Sequence, residues 1–146
     1  MMKEQFIPPS PQAAREVRRN SPIRQARTCH DHLAGVAGVS LMDAMLQRGW
    51  LEAAVSAKER TCYQVTSAGG QALTSRGVDL HRATKARRMY TYGCVDWTER
   101  RFHLGGALAA GILDSLRGAG VIQREQGTRV VTLLEPITSW LDGPSG

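Results

Sequence analysis

Apolar side chains crowd the stretch between positions 33 and 46. Leu33, Val36, Val39, Leu41, Met42, Met45 and Leu46 fall around most of a helical circumference, which predicts a largely buried helix. Ser21-Pro22, a capping side chain followed by proline at the first helical position, marks the start. Gly49 marks the end, so one long helix is expected over residues 22–48. A hairpin follows, with strands at 50–55 and 61–66 around the polar turn Lys58-Glu59-Arg60, and then a short helix from Ser67 to just before Gly77. Further on, Asp96 reads as an N-cap with Glu99 completing a capping box, which predicts a helix over 97–117. Strands at 121–124 and 128–133 flank Gln126-Gly127, and a last short helix starts near Pro136 and carries Trp140 and Leu141.

These two runs are copies of each other. His32-Leu33-Ala34-Gly35 through Asp43-Ala44-Met45 to Gly49-Trp50-Leu51 aligns without gaps on His103-Leu104-Gly105-Gly106 through Asp114-Ser115-Leu116 to Gly120-Val121-Ile122. Cys29-His30-Asp31 answers Cys94-Val95-Asp96, and Val65-Thr66 answers Val131-Thr132. A duplicated unit of this kind is a fold-level signal. The expected fold is α+β and helix-rich: two winged-helix-like repeats (helix, β-hairpin, helix) packed through their central helices. Gly35 and Gly38 of one helix would meet the small surface of Gly105, Gly106, Ala109 and Ala110 of the other. The expected organisation is a linker-like segment at 1–20, repeats at 21–78 and 93–141, a basic connector at 79–92 and a tail at 142–146.

Composition narrows the function. No run of the 146 residues is apolar and long enough to span a bilayer, and the start lacks a secretory layout. Cys29, Cys62 and Cys94 cannot all pair within one chain and form no CxxC motif, which suits thiols in a reducing, cytoplasmic setting. No phosphate-cradling loop, HExxH or nucleophile elbow is present, so an enzyme is not expected. The net charge of +6 is concentrated in two clusters: Arg15, Arg18, Arg19, Arg24 and Arg27, then Arg82, Lys85, Arg87 and Arg88. They are candidates for sequence-independent, salt-sensitive contact with DNA phosphates, and each also reads as a solvated face. Base readout is not expected, because the stretch from Ser40 to Gly49 is short, apolar and carries an acid.

Cys29 and His32, three apart on the expected helix, share a face, and Cys94 and His103 hold the equivalent places in the second copy. If the copies pack with pseudo-twofold symmetry, these four converge into a Cys2His2 set suited to zinc or another thiophilic metal. The alternative is a small buried thiol and two satisfied core histidines. Cys94 has a second role open to it. Just ahead of the expected helix and beside Arg100 and Arg101, it is placed as an oxidant-reactive thiol. Cys62 reads as a strand residue.

Ala26-Arg27-Thr28-Cys29-His30-Asp31-His32-Leu33-Ala34-Gly35, Arg48-Gly49-Trp50-Leu51 and the run from Cys94-Val95-Asp96-Trp97 through Arg101-Phe102-His103-Leu104 resemble the region C-terminal to the DNA-binding domain in longer ArsR-type helix-turn-helix regulators. The resemblance covers roughly residues 8–141. It implies a regulatory or sensor module, often dimeric, responding to metals, metalloids or oxidants, with DNA contact that is weak or supplied by a DNA-binding partner. On this resemblance, the winged helix that precedes the region in such regulators is expected to be absent from this chain, and with it the thiolate pair many of them use for arsenic. The alternative function is a stand-alone metal- or small-ligand-binding protein with no transcriptional role.

Overall fold

The computed structural model describes residues 8–55, 61–86 and 89–143; the expected Lys58-Glu59-Arg60 turn and residues 144–146 of the expected tail lie outside them. Two short helices, α1 (Pro11–Arg19) and α2 (Pro22–Gln25), lead into the hairpin β1 (Arg27–Cys29) and β2 (His32–Ala34). Helix α3 (Gly35–Gln47), the hairpin β3 (Leu51–Val55) and β4 (Thr61–Val65), and α4 (Ser67–Ser75) follow. After α5 (Leu80–Lys85) the same order returns: β5 (Tyr92–Val95), β6 (Phe102–Gly105), α6 (Ala107–Gly118), β7 (Ile122–Arg124), β8 (Val131–Leu133) and α7 (Ile137–Leu141). The fold is mixed α+β, its strands paired as small antiparallel hairpins.

Equivalent residues stop the two central helices in the same way. Gly49, at φ 72°, follows the last turn of α3, where its N–H donates to the Leu46 carbonyl and that of Trp50 to Met45. Gly120, at φ 76°, ends α6 with the matching bonds to Arg117 and from Val121 to Leu116. Both are Schellman stops. Thr66 caps α4 through its side chain, as Ser21 caps α2. Ser10 and Pro11 repeat the Ser-Pro start and make α1 a capped helix, where a linker was expected.

The long helix expected over 22–48 is divided. Its first part ends at Gln25, residues 27–34 turn into β1–β2, and α3 begins only at Gly35. Gly35 sits at φ 78°, a conformation no right-handed helix passes through. Tertiary bonds hold β1 extended: Thr28 N–H donates to the Arg129 carbonyl and Val131 N–H to that of Ala26. The helix expected from 97 is likewise replaced by β6, with α6 starting at Ala107. Asp96 heads a turn there and caps no helix; its carboxylate accepts from the N–H groups of Thr98 and Glu99.

Packing between the halves is reciprocal. Helix α3 lies on β6 and α6 lies on β2, so each helix covers the other half's first hairpin. The expected glycine-lined helix crossing is not what the small residues serve. A Cβ on Gly35 would lie 2.5 Å from the Arg24 carbonyl oxygen of α2, and one on Gly106 would lie 2.6 Å from that of Tyr90. Gly38 makes room first for β2, since a Cβ there would lie 2.5 Å from the Leu33 carbonyl oxygen, with His103 Cβ of β6 at 3.4 Å. One apolar core, including Leu33, Met42, Met45, Leu104, Leu108, Ile112 and Leu116, fills the space beneath both hairpins.

Gly35 and Gly49 separate two costs. Gly49→Ala meets nothing within 4 Å and should lose only the left-handed penalty of about 1–2 kcal/mol. Gly35→Ala adds a collision with fixed backbone and should lose about 3 kcal/mol or more. Urea unfolding of both variants checks the ranking, and equal losses would contradict the packing described.

Candidate metal centre

Directly opposed residues of an antiparallel hairpin carry their side chains on one face, with Cβ atoms about 4.5–5.5 Å apart. In β1–β2 the pair nearest the turn is Cys29 opposite His32. The turn between them is only His30-Asp31, with His30 in the left-handed region at φ 62°. In β5–β6 Cys94 stands opposite His103. Each hairpin therefore presents one sulfur beside one imidazole. The helix face expected for Cys29 and His32 is a cross-strand pair, and Cys94 lies within a strand rather than ahead of a helix.

The two pairs meet. One ligand atom from each of Cys29, His32, Cys94 and His103 lies within 4.8 Å of the other three. The equivalent histidines approach each other most closely, Nε2 to Nε2 at 3.1 Å. Tetrahedral zinc with bonds of 2.0–2.3 Å requires ligand separations of about 3.3–3.8 Å, so small side-chain rotations would complete the set. Both histidines are buried, while both cysteines are only partly so.

The outer nitrogens differ. His103 Nδ1 lies 2.8 Å from Asp96 Oδ1; donation of its proton there leaves Nε2 as a lone pair facing the cluster, the tautomer a metal needs. Among the described residues His32 Nδ1 has no hydrogen-bond partner, and Asp31 Oδ1 stands 3.5 Å away. Burial opposes charge on His103, yet Asp96 and the Cys29 thiol raise its pKa. Hydrogen bonds from Cys94, His103 and His32 hold the Cys29 thiol far below its usual value despite partial burial. The Cys29 thiol is thus biased toward thiolate and the His103 ring toward its protonated form.

Asp96 is wholly buried. Its Oδ1 accepts from Gly35 N–H at 2.7 Å, and its Oδ2 from Arg27 Nη2 at 2.9 Å and from the Thr98 hydroxyl at 3.1 Å. Arg27 is equally buried and donates also to the Ile23 carbonyl and the Thr98 hydroxyl. Burial would raise the Asp96 pKa, but His103, Arg27 and the backbone N–H groups of Glu99 and Gly35 together hold it below the carboxylate range. Nothing in the sequence marks Arg27 out from its basic neighbours. The recurrence of Asp after each Cys is the available sign for Asp96.

The basic candidates divide accordingly. Arg27 is turned inward at 1% exposure and cannot reach a phosphate, which corrects that assignment. Arg24 grips Glu99 through two hydrogen bonds of 3.0 and 3.2 Å, closing the same turn. Arg101, placed by sequence beside Cys94, pairs with Asp43 at 2.9 Å. Arg15, Arg18 and Arg19 on α1 are exposed to differing degrees, as are Arg82 and Lys85 on α5. Arg87 and Arg88 lie outside the described residues.

Over 136 residues the chain is 29% identical to the uncharacterized HTH-type transcriptional regulator YdfF of Bacillus subtilis (strain 168), covering 90% of this chain and 58% of that regulator's length. It is related to a transcriptional regulator at that level. No family model matches the chain. No solved structure matches it either.

Asp96→Asn leaves the Arg27 charge buried without its partner and should cost about 3–5 kcal/mol near neutrality. A carboxylate whose folded pKa is depressed stabilises fully above its unfolded value of about 3.9 and loses that contribution as pH falls through the folded value. The stability gap between wild type and Asp96→Asn should therefore hold at neutral pH and narrow only in stronger acid than about pH 4. Chemical denaturation across that range measures it, and a gap indifferent to pH would contradict the charged state of Asp96.

Proposed function

We propose that this chain is a metal-sensing module of an ArsR-type helix-turn-helix transcriptional regulator, its input a divalent thiophilic ion held by Cys29, His32, Cys94 and His103. The observation that carries the reading is the convergence of two Cys–His pairs from separate hairpins into one cluster. Two thiolates neutralise a divalent charge, and two sulfurs with two imidazoles suit Zn2+ or Cd2+. Four protein ligands leave no open coordination position for a substrate, which favours binding over catalysis. Kinship to an HTH-type regulator over 58% of its length supports the transcriptional setting.

Each half is read as a winged-helix-like unit descended from one duplicated ancestor. A bound ion would tie β1–β2 to β5–β6, and because each hairpin lies under the other half's helix, it would fix how the halves sit together. Specific operator recognition is assigned elsewhere in the regulator. Arg15, Arg18, Arg19, Arg82 and Lys85 offer phosphate contact without base readout.

Cobalt(II), a spectroscopic stand-in for zinc, should bind one ion per chain and show thiolate charge-transfer and tetrahedral ligand-field bands. Cys29→Ser, Cys94→Ser and His32→Ala should each weaken or abolish those bands, while Cys62→Ser should leave them unchanged. Zinc at a thousandfold excess over its dissociation constant should stabilise the wild-type chain by about 4 kcal/mol. Undiminished cobalt bands in Cys29→Ser would sink the site.

DNA binding by the chain alone should be sequence-independent and fall steeply between about 50 and 200 mM salt. Salt-resistant binding to a single operator, read by fluorescence anisotropy, would contradict the division of labour.

A further inference from the structure

The two sulfurs of the cluster stand in a different relation from the two histidines. The histidines are buried, while Cys29 and Cys94 are each partly exposed. They come from different hairpins, β1 and β5, and their sulfurs are no more than 4.8 Å apart. A disulfide needs about 2.05 Å between sulfurs, a closure that side-chain rotation together with a small shift of two three- and four-residue strands supplies. Cys62 belongs to the other hairpin of the first half and is not a member of the cluster.

We propose that Cys29 and Cys94 form a reversible disulfide in response to a hydroperoxide, a redox modification that joins the two halves covalently and excludes the metal. One thiolate attacks the peroxide O–O bond, forming a sulfenic acid and releasing an alkoxide or hydroxide that takes up a proton. The second thiolate attacks the sulfenic sulfur, making the S–S bond and expelling hydroxide, which leaves as water after taking up a second proton. Two electrons pass from the sulfur pair to the peroxide. The disulfide sulfurs carry no charge and no longer serve as thiolate ligands, so only two imidazoles remain for the ion. The exclusion of metal rests on the proposed metal centre; the disulfide does not.

The test uses the full chain carrying Cys62→Ser, once loaded with zinc and once metal-free, exposed to hydrogen peroxide. Released zinc is followed with a chromogenic chelator, and the product by intact mass and peptide mapping. The expected result is loss of two hydrogens, a Cys29–Cys94 linked peptide in both samples and release of the bound zinc. Dithiothreitol should then restore mass and zinc binding together. Zinc that binds but stays bound under peroxide, or oxidation to sulfinic acid with no linked peptide, overturns the inference and leaves the metal centre standing. A linked peptide in a chain that never binds zinc overturns the metal centre and leaves the disulfide. Cys94→Ser must yield no linked peptide, and a cross-link there would show that other residues carry the reaction.

Discussion

A carboxylate with no exposed surface stays ionised only where the protein supplies what water would have supplied. Asp96 has that supply: a guanidinium, a hydroxyl, backbone N–H groups from its own turn and from Gly35, and an imidazole. Those donors come from both halves of the chain. Arg27 follows the first helical pair and opens β1, Gly35 opens α3, and His103 lies on β6. Through one side chain, the start of the first central helix, the first hairpin and a histidine of the cluster are held in fixed relation. Removing the carboxylate exposes Arg27 to an uncompensated burial and frees the ring that faces the other three ligands. A buried pair of this sort adds little net stability over an apolar replacement, but breaking it is costly. Its value here is positional.

The repeated order of elements brings equivalent hairpin residues together: His32 of β2 and His103 of β6 meet at 3.1 Å. The copies are no longer equal, however. Asp96 serves His103 closely and is bonded to both halves, whereas Asp31 stays partly exposed at 3.5 Å from His32. His103 is therefore held more rigidly than His32, and in the proposed centre an ion would order the first hairpin more than the second.

Much of this is legible in the residues themselves. The glycine stop at 49, the Ser21-Pro22 cap and the repeat depend on local chemistry, and they sit where that chemistry places them. The four Cys and His residues that cluster occupy equivalent places in the repeat, and their convergence is expected only if the copies pack with pseudo-twofold symmetry. What misleads is the capping chemistry of Ser21-Pro22 and of Asp96 with Glu99, which reads as the start of one helix running through 27–34 in the first copy and through 97–105 in the second. Strands of three and four residues give too little alternation to register, and the bonds that hold β1 extended come from Arg129 and Val131, far away in sequence. Arg27 groups by sequence with phosphate-binding arginines because nothing local announces a buried partner 69 positions on.

In the proposed centre two sulfurs and two nitrogens, one pair from each half, hold one ion. X-ray absorption at the zinc edge of the loaded chain addresses it without perturbing the fold. The expected first shell is two sulfurs at about 2.3 Å and two imidazole nitrogens at about 2.0–2.1 Å. A shell of oxygen and nitrogen alone, or one with a single sulfur, would contradict it.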